Sequence, residues 1–102
     1  MKHTNFRTLN HAKDFYKMTS KLKIERHLKN QLDRASSSVA LNLAEGSGRA
    51  SLKEKRHFYS IAMGSFRECQ SILFLVDNND PILQDKSDCL GAHLYKLIDK
   101  TK

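Results

Sequence analysis

The chain has 102 residues, a net charge of +7, one proline, four glycines and two cysteines. That length predicts one domain, residues 1–102, with a modest core, and so little Gly and Pro argues against a turn-rich β fold. Two cysteines are too few for a disulfide framework, the opening MKHTNFRTLN lacks the apolar stretch of a signal peptide, and the longest apolar run, Ile72–Val76, is far short of a membrane span. These features predict a cytoplasmic protein with no membrane partner and with free, buried thiols at Cys69 and Cys89. The charge is uneven: residues 1–67 hold 14 Lys/Arg against 5 Asp/Glu, and residues 68–102 hold 4 against 6. Such polarity suits a polyanion, nucleic acid above all, although a basic surface also serves solubility alone.

The first helical pattern runs from about Asn5 to Ser20 on Leu9, Ala12, Tyr16 and Thr19, with Phe6 and Phe15 off that line on a second contact face. A turn is expected at Lys21–Lys23. The second pattern is one seam of Ile24, Leu28, Leu32, Ala35, Val39 and Leu43. Gly46 is expected to end it in the left-handed position that follows a helix, and Ser36, Ser37 and Ser38 suit close helix contact. After the turn Ser47–Ala50, Ser51 and Glu54 have capping-box spacing. The third helix is predicted from Leu52 to about Asp77, with a core seam of Phe58, Ala62, Ser65, Cys69, Ile72, Leu73 and Val76.

That helix carries more apolar surface than one seam requires. Tyr59, Met63, Phe66 and Phe74 form a second line, and Ser60, Gly64 and Ser71, with Arg67, form a row of mostly small residues. Either the first and fourth helices cover the second line, or it is a self-association face. Asp80 can cap a fourth helix, with Pro81 in its first position, continuing on Leu83, Leu90, Leu94, Leu97 and Ile98 to about Lys100. Four amphipathic helices with short connections predict an all-α, antiparallel up-down-up-down four-helix bundle.

No nucleophile–base pair or carboxylate dyad is spaced for catalysis, so no catalytic residue, cofactor or small-molecule substrate is expected. The histidines show no i, i+4 pair and no Cys partner at metal-ligand spacing, so no metal is expected either. Arg49, Lys53, Lys55 and Arg56 surround the amides that follow Ser51 and form the best candidate phosphate site. Lys21, Lys23, Arg26 and Lys29 form a second basic cluster. With few exposed aromatics, binding of RNA or DNA would be electrostatic and weakly sequence-specific. Arg34, Ser38 and Glu45 share an outer stripe of the second helix, where an ion pair such as Arg34–Glu68 would fix register. Asn42 is expected to tie that helix to the next turn or to the third helix.

The run QLDRASSSVALNLAEGSGRASLKE, followed by FYSIAMGSFRE, resembles the bacterial ribosomal intervening-sequence protein family. The matching positions are Gln31, Leu32, Arg34, Ala35, Ser38, Asn42, Ala44, Glu45, Gly46, Gly48, Arg49, Phe58, Ala62, Gly64, Ser65 and Glu68. Lys55-Arg56-His57 departs from the more apolar residues usual there, Arg67 stands where a small residue is commoner, the link between the first two helices is short, and the frequent first-helix tryptophan is missing. The resemblance implies a four-helix bundle assembling as a ring-like homopentamer, genes often carried within intervening sequences of large-subunit ribosomal RNA genes, and no enzymatic activity. It also implies kinship with accessory proteins of diversity-generating retroelements, which work with reverse transcriptases. The expected function is thus a non-enzymatic oligomer that binds nucleic-acid phosphates. The alternative is an adaptor that takes a protein partner, such as a reverse transcriptase, on its apolar face.

Overall fold

A computed structural model describes residues 3–102, with side chains described from Arg7 onward. Four helices follow one another: α1 (His3–Ser20), α2 (Arg26–Ser47), α3 (Leu52–Leu75) and α4 (Pro81–Asp99). Each packs on two neighbours, α1 on α2, α2 on α3, α3 on α4 and α4 back on α1. The result is the antiparallel up-down-up-down bundle expected, about 40 × 23 × 20 Å. Its long dimension is close to the roughly 36 Å that the 24 residues of α3 span at 1.5 Å each.

Local chemistry sets the helix ends. Ser51 Oγ accepts the Glu54 amide at 3.1 Å and bonds the Glu54 carboxylate at 3.2 Å, so two groups at the start of α3 satisfy each other. Asp80 Oδ1 accepts the Ile82 amide at 3.0 Å, with Pro81 opening α4 where an amide hydrogen would be redundant. At the end of α3, Asp77 adopts φ 55°. This lets the Asn78 amide reach back to the Leu73 carbonyl and the Asp77 amide to that of Phe74, the paired closure of a Schellman motif without glycine.

Leu32, Ala35, Val39 and Leu43 are buried along α2 as expected, with Ile24 and Leu28 packed at its edge. Gly46 departs from expectation. It lies inside α2, which runs on to Ser47 and is capped by Gly48 at φ −88°, and no described glycine has a positive φ. Gly46 is needed for proximity instead: a Cβ there would sit 2.7 Å from the Tyr59 ring. On α1 the buried residues are Thr8, Ala12, Phe15 and Thr19, so the core face is turned from the predicted line; Leu9 flanks it and Tyr16 is exposed. The Phe6 side chain lies outside the described residues.

The larger correction concerns α3. Its inward residues are Tyr59, Ala62, Phe66, Cys69 and Ile72. Tyr59 and Phe66, expected on a possible self-association line, are each only 2% exposed, while Phe58, Ser65, Leu73 and Val76 are half-buried at the flanks. The physical reason is reach across the bundle. Phe66 meets Phe15 of α1 edge-on at 5.6 Å between ring centroids, and Gly91 of α4 leaves its ring room, since a Cβ there would come within 3.1 Å. Thus α1 and α4 cover Phe66, while the Tyr59 ring lies against Gly46 of α2.

Candidate nucleic-acid interface

The α2–α3 turn shares one end of the bundle with the start of α1 and the end of α4. Arg56 ties this end together, donating to the Thr101 carbonyl at 2.8 Å. Arg49 lies 3.4 Å from Glu45 and 3.8 Å from Glu54, and its guanidinium stands 4.8 Å from the Phe58 ring centroid. Lys55 Nζ donates to the carbonyls of Gly46 and Ser47 at 3.3 and 3.0 Å. That places a positive charge at the carbonyl end of α2, where the helix dipole favours it. Three of the four cations predicted around this turn therefore have internal work. Lys53 is exposed and makes no ion pair among the described residues.

The same end brings together cations distant in sequence. Arg7, Lys96 and Lys100, with Thr8, His93 and Leu97, line a cavity of about 190 Å³ between α1 and α4. No local spacing links Arg7 to Lys100; only the antiparallel return of α4 does. His93, Lys96 and Lys100 themselves recur at three and four residues, one face of α4, which was the legible part of the signal. At the opposite end, Lys21, Lys23 and Arg26 are exposed. Lys29 is not free there, since it bonds both Asp33 carboxylate oxygens at 2.8 Å.

The small polar residues of α2 act as a bridge. Asn42 Nδ2 donates to the Ser38 carbonyl at 2.9 Å and to its hydroxyl at 3.0 Å, and Ser38 Oγ meets Ser65 Oγ of α3 at 2.9 Å. Asn42 thus reaches α3 through Ser38 rather than directly. Arg34 and Glu68 are both exposed, and no ion pair joins them among the described residues; Glu45 pairs with Arg49 instead. Along the outside of α3, Ser60, Gly64, Arg67, Ser71, Phe74 and Leu75 are exposed in one row, while Met63 is half-buried against the core. Phe74, at 81% exposed, is the member of the predicted aromatic line that faces outward.

A family model for the 23S rRNA-intervening sequence protein matches residues 7–101. The chain belongs to that family. No curated protein and no solved structure matches it. Membership now covers all four helices of this intervening-sequence protein, well beyond the central motif, and family and all-helical fold are consistent with a non-enzymatic protein. Among the described residues no helix is long and apolar enough to cross a membrane.

Neither cysteine is in a disulfide. Burial, then the charge of Glu68, pushes the Cys69 thiol up to about 12, so it behaves as an inert apolar side chain. Burial likewise raises the Tyr59 phenol. His11 is shifted down, first by burial and then by Lys86 and His93. One group of residues corrects the reading that no histidine has a cysteine partner at metal-ligand spacing. Cys89 and His93 are one helical turn apart on α4, and α1 brings His11 to them, so that a ligand atom from each of the three lies within 4.8 Å of the others.

Proposed function

We propose that this intervening-sequence protein is a non-enzymatic, self-associating, cytoplasmic RNA-binding protein that works as one domain. It engages RNA phosphates through the basic end of the bundle, and ribosomal intervening-sequence RNA is the first candidate. The observation that carries this reading is the convergence of Arg7, Lys53, Arg56, Lys96 and Lys100 at one end, although the net charge of the chain is only +7. Arg49 and Lys55 hold the turn in shape with part of their charge still directed outward, and Lys23 and Arg26 extend contact at the far end. Phosphate contact needs no base-reading side chains, so affinity is salt-dependent and weakly sequence-specific.

Self-association proceeds through the outer row of α3, with a ring-like pentamer as the favoured form. Small residues at Ser60, Gly64 and Ser71 let a neighbouring helix approach, and a ring repeats the basic end and raises avidity. A second reading rests on Phe74, Leu75 and Ile82, which are 81%, 65% and 70% exposed beside the α3–α4 turn. Such a patch would suit an adaptor that docks a protein, including a reverse transcriptase if the kinship with retroelement accessory proteins is functional.

The test is binding of labelled 23S rRNA intervening-sequence RNA across a salt series. The logarithm of affinity should fall linearly with the logarithm of salt, and Lys53→Ala and Lys100→Ala should each reduce that slope by about one. Affinity indifferent to salt, or unchanged in both variants, refutes the basic end as the site. Light scattering on the same samples separates assembly from RNA binding.

A further inference from the structure

We propose that His11, Cys89 and His93 form a binding site for a divalent transition metal of zinc's coordination preference, cross-linking α1 to α4. The three residues supply two imidazoles and one thiol, the mixture of borderline and soft donors that zinc and cobalt favour over calcium or magnesium. Cys89 Sγ lies 3.7 Å from His11 Nε2 and 3.8 Å from His93 Nδ1. Metal–sulfur and metal–nitrogen bonds of about 2.3 and 2.1 Å at a tetrahedral angle place the two ligand atoms about 3.6 Å apart. The two sulfur–nitrogen separations are therefore near those of a coordinated pair, and a ligand atom from each of the three residues lies within 4.8 Å of the others.

Without a metal these contacts are weak. At 3.7–3.8 Å a hydrogen bond between sulfur and a ring nitrogen is at its long limit, whichever atom donates. The rings face one another at 4.5 Å between centroids, tilted by 46°. The framework is nonetheless held in place. Cys89 and His93 share one face of α4, and His93 Nδ1 lies 2.9 Å from the Cys89 carbonyl. Coordination through Nε2 keeps that bond as the outer-shell contact that orients a metal-binding imidazole, and coordination through Nδ1 gives it up. All three residues are half-buried, and His93 also borders the 190 Å³ cavity, which leaves room for a water as fourth ligand.

Lys86 supplies a specific opposing effect. Its ammonium lies 3.2 Å from His11 Nδ1 and 3.5 Å from Asp14, so a bound dication repels it toward that carboxylate and solvent. Binding converts the Cys89 thiol to a metal thiolate and releases its proton to buffer, with no change of oxidation state.

The experiment uses the reduced, chelator-treated full chain titrated with cobalt(II). The expected result is one cobalt per chain, with a near-ultraviolet thiolate charge-transfer band and the intense visible bands of a four-coordinate site, both displaced by zinc(II). Cys89→Ser should abolish the charge-transfer band, Cys69→Ala should retain it, and His11→Gln should weaken binding about tenfold or more. Lys86→Ala should tighten binding by about tenfold or more, because it removes a cation beside the metal. Circular dichroism confirms that each variant folds, and zinc should raise the Tm of the wild type but not of His11→Gln. The proposal is overturned by no charge-transfer band, by a band that survives Cys89→Ser, or by affinity indifferent to His11→Gln.

Discussion

Both long faces of α3 carry large apolar side chains, and the two faces do opposite things. Inward, Tyr59, Ala62, Phe66, Cys69 and Ile72 are each no more than 3% exposed; outward, Ser60, Gly64, Arg67, Ser71, Phe74 and Leu75 meet solvent. Phe66 and Phe74 make the contrast plain, as the same side chain stands on the same helix eight residues apart. One closes the bundle against Phe15 and Gly91, and the other packs on nothing that would require it. Apolar content alone therefore does not tell core from docking surface on this helix. Rotation about the helix axis, set by what lies across the bundle, does.

The largest expected effect comes from emptying the inner face. Phe66→Ala should lower the unfolding free energy by about 3–5 kcal/mol, the usual cost of a large buried cavity. Phe74→Ala should change it by about 0.5 kcal/mol or less when the chain is dilute. Urea unfolding of both variants at low protein concentration measures the difference. Equal losses would mean that the outer face is buried as deeply as the inner one.

Next in size is the contact between α2 and the inner face of α3. At Gly46 an added methyl group meets the Tyr59 ring at 2.7 and 2.9 Å and Phe58 Cβ at 3.1 Å. Gly46→Ala gains about 1 kcal/mol of helix propensity. Overpacking against a buried ring opposes it by about 1–3 kcal/mol. The net expectation is a loss of up to about 2 kcal/mol in the midpoint-derived stability. A stabilised variant would show that the ring swings aside freely.

This contact also marks how far the sequence was legible. The capping residues Ser51, Asp80 and Pro81 and the seam of α2 could be read directly, because their physics is local and their period complete. Gly46 looked like a helix stop because glycine after an apolar seam usually is one; its reason lies thirteen residues on, in the bulk of Tyr59. On α3 the expected seam holds at Ala62, Cys69 and Ile72, but Phe58 and Ser65 stand in it where the core takes Tyr59 and Phe66, for a related cause. Phe58 and Ser65 keep helical period as well as Tyr59 and Phe66 do, and only Phe15 and Gly91, on other helices, decide between the two. At the basic end the local cluster was visible, but not that Arg49 and Lys55 are engaged with Glu45, Glu54 and α2 carbonyls, nor that Arg7 joins Lys96 and Lys100. The metal cluster had one local clue, the spacing of Cys89 and His93, and one nonlocal member, His11.

A smaller effect is expected at the hydroxyl of Tyr59, which is buried without a hydrogen-bond partner among the described residues. Tyr59→Phe removes an unsatisfied polar group and should stabilise the chain by about 1 kcal/mol at neutral pH. The gain should grow in alkali. A group whose pKa is raised by folding contributes stability that is present below its unfolded value and lost as pH rises through the folded one. Tyr59 is raised above 10.0 and Cys69 from 9.0 to about 12, so wild-type stability should fall from about pH 9 upward. Tyr59→Phe should flatten the part of that fall above about pH 10. Parallel slopes for the two proteins in urea titrations at increasing pH would contradict the burial of the phenol.

The smallest expected effect sharpens the comparison most, because its sign divides. At Gly64, on the outer face, an added Cβ meets nothing within 4 Å. Gly64→Ala should therefore raise the stability of the dilute chain by about 0.5–1 kcal/mol, through backbone entropy alone. If neighbouring copies approach along Ser60, Gly64 and Ser71, the same methyl group stands between two helix backbones and weakens their association. Unfolding at low concentration and light scattering at high concentration should then move in opposite directions, the first toward greater stability and the second toward lower mass. A variant that is more stable and assembles as before would place the contact between copies elsewhere on the surface, with the exposed Phe74, Leu75 and Ile82 patch as the next place to substitute.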